Sequence, residues 1–211
     1  EISPMLRVFS EVLYSRHEVD FRNPYNTFYD LLYGAPDNPF LPTQLQALAT
    51  STGGLYITRD MIDLGDNTDT DERETIRLVG GAEGEFSNGW SWEASANYGR
   101  FQQTSIDRNK VLLDRFFAAI DVVDLGAGPE CRSNTDLTAP PATPYNIPRW
   151  DSGFYTFTPG DGQCAPADIW NGIGGISQQA IDFITVTAED KTSITQTVVH
   201  ANLVGDTEDW F

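Results

Sequence analysis

The chain has 211 residues, 40% of them hydrophobic and 12% aromatic, which is too apolar for a disordered segment and long enough for one sizeable domain. Its 13 basic residues stand against 31 acidic ones, a net charge of -18, so neither nucleic acid nor anionic lipid headgroups meet the basic surface they need. No run of about eighteen apolar residues occurs, which excludes a membrane-spanning helix and leaves β-barrel spans open, because alternation hides them from averaged hydropathy.

The chain begins at Glu1 with no initiator methionine and no charged-then-apolar leader. It ends on Asp206, Thr207, Glu208, Asp209, Trp210 and Phe211, which resemble a turn entering a further aromatic-led strand, so a piece of a longer protein is expected. The first period-two segment, 5–17, puts Leu6, Val8, Ser10, Val12 and Tyr14 on one face and Arg7, Phe9, Glu11, Leu13 and Ser15 on the other. A short helix is predicted over 42–49, with Pro42 at its start and Ser51, Thr52, Gly53 and Gly54 beyond its end. A short strand is predicted over 55–64. The acidic run 66–72 offers Asp66, Asp69 and Asp71 as oxygen donors of the kind calcium takes. It lacks the glycine and spaced glutamate of an EF-hand loop, and reads as a solvated hairpin tip.

Residues 74–103 read as two period-two strands joined by a tight turn at Ser87, Asn88 and Gly89. Ile76, Leu78, Gly80, Ala82, Gly84, Phe86, Trp90, Trp92, Ala94, Ala96 and Tyr98 occupy one face; Thr75, Arg77, Val79, Gly81, Glu83, Glu85, Ser91, Glu93, Ser95, Asn97 and Gly99 occupy the other. Such alternation requires an apolar medium on one side and a polar one on the other. Aromatics gathered near the turn, small residues in mid-face and strands of ten or more residues fit a membrane-barrel hairpin better than a soluble sandwich.

Beyond the hairpin, 109–123 carries Leu112, Phe116, Ile120 and Val123 at helical spacing. Residues 126–175 are rich in proline and glycine and read as irregular. Cys131 and Cys164 bracket this stretch in a chain with no other cysteine, which predicts a disulfide and an oxidising compartment. Trp150, Tyr155, Phe157 and Trp170 lie in the same stretch, as stacking surfaces for a sugar or a chelate ring or as the packing of the loop onto itself. Ser177 is placed to cap a helix over 177–183. A last segment, 193–205, puts Thr197, Val199, Ala201 and Leu203 opposite Gln196, His200 and Asn202.

The expected architecture is all-β: an antiparallel transmembrane β-barrel segment of about four long strands, near 5–17, 74–86, 90–104 and 193–205. Long extracellular loops at 18–73 and 105–192 carry short helices, and no plug domain is present. Very unequal connections, short at one end and long at the other, are the sidedness of outer-membrane barrels. Chemistry is less legible. His17 and His200 sit on separate strands without a nucleophile or a metal motif, and Glu83 with Glu85 read as barrel wall, with a glycoside-hydrolase pair a distant third possibility. No enzyme, cofactor or metal is expected.

The run from Phe86, Ser87, Asn88, Gly89, Trp90, Ser91 and Trp92 to Tyr98, Gly99 and Arg100, then Asp107, Arg108, Asn109, then Arg115, Phe116, Phe117, Ala118, Ala119, Ile120 and Asp121, resembles the mid-barrel part of TonB-dependent outer-membrane receptors. Cys131, Arg132, Ser133, Asn134, then Phe157, Thr158, Pro159, Gly160, then Cys164, Ala165, Pro166, then Gln179, Ala180, Ile181, Asp182 and Phe183 are similar to that family's large extracellular loop. The resemblance covers most of the chain from Tyr56 onward. It implies a parent barrel of roughly 22 strands with an N-terminal plug, in the outer membrane of a Gram-negative cell. Such a receptor imports a scarce nutrient (ferric siderophore, cobalamin or oligosaccharide) with energy from an inner-membrane complex. The implied partners are outer-membrane lipid, the remaining strands and plug, that energy-coupling complex and the small nutrient, with no nucleic acid. The chain itself has no plug and no TonB-box-like start, so two adjacent strand-loop-strand units of a receptor are expected. A secreted acidic all-β carbohydrate-binding module is the alternative, and it would cover the apolar face of residues 76–98 with a second sheet.

Overall fold

The computed structural model describes residues 6–138 and 155–206. In chain order the elements are β1 (Leu6–Asn23), β2 (Thr27–Gly34), α1 (Thr43–Thr52), β3 (Leu55–Asp60), β4 (Asn67–Glu85), β5 (Ser91–Val111), α2 (Leu113–Ile120), β6 (Val122–Asp124), β7 (Pro129–Cys131), α3 (Arg132–Thr135), α4 (Gln178–Ile184) and β8 (Thr185–Val204), with a 3-10 turn at Ile62–Leu64. The four long strands form one sheet in the order β1-β4-β5-β8, and two small sheets pair β2 with β3 and β6 with β7. The chain is therefore mostly antiparallel β-sheet with a few short helices. No described helix is long and apolar enough to cross a membrane.

Cross-strand partners run in opposite senses: Arg7 meets Glu83, Glu11 meets Arg77 and Tyr14 meets Glu74. The turn between β4 and β5 closes with the Phe86 N–H donating to the Trp90 carbonyl at 2.7 Å and the Gly89 N–H to the Phe86 carbonyl at 3.0 Å. Gly89 takes the left-handed conformation that residue type tolerates, which is why the Asn-Gly pair was legible as a hairpin. Further along β4, Gly81 lies under the Phe9 ring, and a Cβ there would stand 2.4 Å from the ring and 2.9 Å from the Ala94 carbonyl oxygen. An aromatic from the neighbouring strand thus fills the place of a missing side chain.

The chain divides into two compact units, one of Glu1–Asp20, Thr70–Ile106 and Glu189–Phe211, the other of Phe21–Asp69 and Asp107–Ala188. Among the described residues of the first, none is buried. Its apolar side chains are open instead: Val12 is 73% exposed, Leu78 44% and Val199 77%. The second unit holds the hydrophobic core, in which Phe28, Leu32 and Met61 pack with α2, with the two cysteines and with Phe183 and Ile184 of α4. The stretch expected as extracellular loops is thus folded around a core of its own.

Several sequence expectations change. The strands are longer than 5–17, 74–86, 90–104 and 193–205, by several residues at the ends away from the β4–β5 turn. A backbone ladder needs no apolar side chains, so it continues past the point where the apolar alternation stops. The acidic run is not a hairpin tip, because Asn67 onward is the first part of β4. The helix expected over 109–123 shortens to Leu113–Ile120, since β5 holds the chain extended to Val111 and Leu112 is itself extended. β2 went unread, and the strand at 55 ends at Asp60. The helix at Pro42 runs on through Ser51 and Thr52 to its cap at Gly53, past the expected end, while the helix at Ser177 starts where expected, the Ser177 hydroxyl accepting from the Ala180 N–H at 3.2 Å.

Candidate functional site

The Cys131–Cys164 disulfide is formed, with Cα atoms 6.1 Å apart and the two cysteines separated by 33 positions in sequence. Both cysteines are buried in the core of the second unit. α2 is strongly amphipathic and buries Phe116 and Phe117, with Phe116 stacked on Phe28 at 4.6 Å between ring centres. Its two charged residues, Asp114 and Arg115, both fix Thr156. The Asp114 carboxylate accepts from the Thr156 N–H at 2.6 Å and from its hydroxyl at 2.9 Å. Arg115 donates to the Thr156 carbonyl at 2.7 Å and lies over the Phe183 ring at 5.3 Å.

This clamp determines where the nominated aromatics go. Phe157 is buried, edge-on to Phe183 at 5.3 Å, so it is a core residue and not an exposed stacking surface. Tyr155 meets Phe157 edge-on and is half-buried; burial first, then the neighbouring Asp114 carboxylate, pushes its phenol up to about 12. Trp170 packs partly against the same core and lies over Gly34, where a Cβ would stand 2.2 Å from the indole ring. Trp150 lies outside the described residues. Of the four, Phe157 lies in the core, and Tyr155 and Trp170 are half-buried against it.

The sequence expectations left out the residues that shape two glycine-rich turns of the second unit. The Arg59 guanidinium donates to Asp63 at 2.5 Å and to the Gly172 carbonyl at 2.6 Å, and the Gly174 N–H donates to the other carboxylate oxygen of Asp63. Gly172 and Gly174 both take positive φ, and between them Ile173 stands exposed. Asp124 closes the β6–β7 turn by accepting from the N–H groups of Gly126 at 2.7 Å and Gly128 at 3.1 Å, leaving Leu125 exposed at the tip. The glycine-rich runs around 126 and 172 were the available signal for these turns.

The three carboxylates offered for calcium do not converge. Asp66 accepts from Arg22 at 2.6 Å, Asp69 pairs with Lys110 at 3.1 Å, and Asp71 takes the Ser105 hydroxyl and Arg73 at 3.0 Å. The Ser105 hydroxyl, then Gln103 and Arg73, hold the Asp71 carboxyl below its ordinary range against the opposing effect of burial. Among the described residues no group of three or more potential ligands surrounds a metal position. On β1 the Ser15 hydroxyl and His17 Nε2 are 2.8 Å apart and exposed, with no carboxylate bonded to the other ring nitrogen among the described residues.

On the sheet of the first unit, odd-numbered residues of β1, β4 and β5 share the polar face, where Arg7 pairs with Glu83 at 3.1 Å and Arg77 reaches Glu11 at 3.5 Å and Asn97 at 3.4 Å. Even-numbered residues share the apolar face, which runs from Phe86 and Trp92, 6.5 Å apart, past the small residues Gly80, Ala82, Ala94 and Ala96 to Ile76 and Tyr98. Just beyond that margin the same face turns polar: Tyr14 donates to Glu74 at 3.2 Å and Arg16 pairs with Glu72 at 2.8 Å. No family model, no curated protein and no solved structure matches the chain.

Proposed function

We propose that this chain is a group of adjacent staves from a TonB-dependent outer-membrane receptor, which binds a scarce nutrient at the cell surface and imports it. The observation that carries the reading is a long four-stranded sheet with no buried residue among those described and one face apolar throughout its middle. In water such a sheet has nothing to offset the conformational entropy its folding costs. Lipid on the even-numbered face supplies that driving force.

The dimensions agree with a bilayer. From Ile76 to Phe86 the apolar run of β4 covers about 33 Å at about 3.3 Å per residue, and a strand tilted by about 40° crosses about 25 Å, the height of the apolar band in outer-membrane barrels. Aromatic residues mark both margins: Phe86, Trp90 and Trp92 at one, Tyr14 and Tyr98 at the other. The opposite face, with its paired Arg7, Glu83, Glu11 and Arg77, is the polar wall of a lumen. Because β1 and β8 are the edges of this sheet, the barrel closes through further strands of the receptor, since unpaired edges do not face lipid. The buried disulfide suits the oxidising side of a cell envelope. A secreted carbohydrate-binding module would bury the apolar face of its sheet, whereas Ile76 and Leu78 stand 39% and 44% exposed.

The test places single cysteines, each carrying an environment-sensitive fluorophore, in the receptor folded into vesicles containing brominated lipid. Labels at Val12, Leu78 and Val199 are expected to be quenched, and labels at Glu11, Arg77 and His200 are not. Equal quenching at both sets, or none at either, rejects the barrel reading.

A further inference from the structure

Asparagine followed by glycine occurs twice in the chain, as Asn88 with Gly89 and as Asn171 with Gly172. The pair allows an internal reaction, because the glycine nitrogen, unhindered by a Cβ, can attack the carbonyl carbon of the asparagine side chain. Exposure and backbone do not separate the two sites: all four residues are exposed, and both glycines take positive φ, 81° and 90°. Their hydrogen bonds do. At Asn88 the side-chain oxygen accepts from the Trp90 N–H at 3.3 Å, which closes an Asx turn and folds the amide back over the intervening Gly89 nitrogen. At Asn171 the amide nitrogen donates to the Asp168 carboxylate at 2.7 Å and to the Phe40 carbonyl at 3.2 Å. A backbone N–H only donates and a carboxylate only accepts, so neither amide can be turned round.

We propose that Asn88, and not Asn171, is a site of spontaneous deamidation in the folded protein. The Gly89 nitrogen loses its proton to hydroxide and bonds to Cγ of Asn88; the Cγ–Nδ2 bond breaks, and its nitrogen leaves as ammonia with a proton from water. Water then opens the resulting succinimide at one carbonyl or the other, giving aspartate or isoaspartate. Negative charge builds on Oδ1 as the new bond forms, and a donor already in place there stabilises it. The Trp90 N–H is that donor. At Asn171 the same charge would build beside the Asp168 carboxylate, and the departing nitrogen is held by a charge-assisted bond, about twice as strong as a neutral one. What opposes reaction at Asn88 is the Gly89 N–H bond to the Phe86 carbonyl at 3.0 Å, a neutral bond on an exposed turn. Isoaspartate carries the chain through the side-chain carbon, so the turn gains a main-chain atom and the two bonds that close it lose their register. Either product adds a carboxylate to a turn that already follows Glu83 and Glu85.

The experiment incubates the folded protein at mildly alkaline pH and follows both asparagines by peptide mapping with mass spectrometry, which reads the exchange of –NH2 for –OH at each. Asn88 is expected to convert about tenfold faster than Asn171 or more, the factor that one hydrogen bond of ordinary net strength contributes. This comparison needs no variant. Unfolding in urea removes both sets of contacts, and the two rates are expected to approach each other. Asp168→Ala frees the Asn171 amide and is expected to raise the rate there while leaving Asn88 as it was. Conversion at Asn171 as fast as at Asn88, no conversion at Asn88, a ratio that urea leaves unchanged, or an unaltered Asn171 rate in folded Asp168→Ala overturns the proposal.

Discussion

Asp63 is the carboxylate on which the turn at 172–174 depends. Its side chain is 2% exposed and that of its partner Arg59 is 11% exposed, so the pair is nearly dry. Asp63→Ala strands a guanidinium without its countercharge and leaves the Gly174 N–H without its acceptor. Breaking a buried pair from one side costs about 3–5 kcal/mol, against about 1 kcal/mol or less for an exposed pair. Urea unfolding of the second unit, followed by tryptophan fluorescence, is expected to show that loss for Asp63→Ala and almost none for Asp66→Ala, whose partner Arg22 is largely exposed. Equal effects would mean that burial does not govern these ion pairs. Neither role was legible from residue type, since Asp63 and Asp66 stand three positions apart in the same acidic neighbourhood. Phe157 and Tyr155 carry the same lesson. An aromatic in an irregular stretch reads alike as ligand contact or as core until the Asp114 and Arg115 clamp on Thr156 is seen.

Elements were legible in proportion to how strictly their residues alternate. β4 and β5 carry a clean period of two from 76 to 98, and both strands and their turn lie where the alternation puts them. β2 lacks a clean alternation and contains a register shift between Phe28 and Leu32, so it gave no such signal. The alternation also yields a sharp mutational contrast. Leu78 and Val79 are neighbours on opposite faces of β4, and in the proposed barrel one faces lipid and the other the lumen. Leu78→Arg is expected to cost about 2–4 kcal/mol of folding free energy in vesicles, because an arginine near the bilayer midplane is desolvated, whereas Val79→Arg is expected to cost little. Reversible urea titration of folding into phosphatidylcholine vesicles measures both. A larger penalty for Val79→Arg would invert the faces and with them the lumen assigned to the polar ladder.

At the scale of the whole molecule, the two units depend on different sources of stability. The second has a core and a cross-link, and in the chain-entropy account a disulfide closing a loop of this length is worth about 4 kcal/mol. Cys131→Ser with Cys164→Ser is expected to lower the urea midpoint of the second unit and leave the four-stranded sheet of the first in place. Circular dichroism in the near ultraviolet reads the one and protection of the strand amides from hydrogen exchange reads the other. Loss of both together would show that the sheet depends on the disulfide. The sequence by itself determined the all-β class, the β4–β5 hairpin, the two faces of the long strands and the cysteine pair, because periodicity, turn residues and an isolated pair of cysteines are local signals. Only the tertiary structure decided that residues expected as loops build a core, that most of the acidic run is part of a strand whose carboxylates find partners on β1 and β5, and that the Phe9 ring fills the place of a side chain at Gly81. Each of these depends on which residues, distant in sequence, are brought side by side, and no local pattern carries that information.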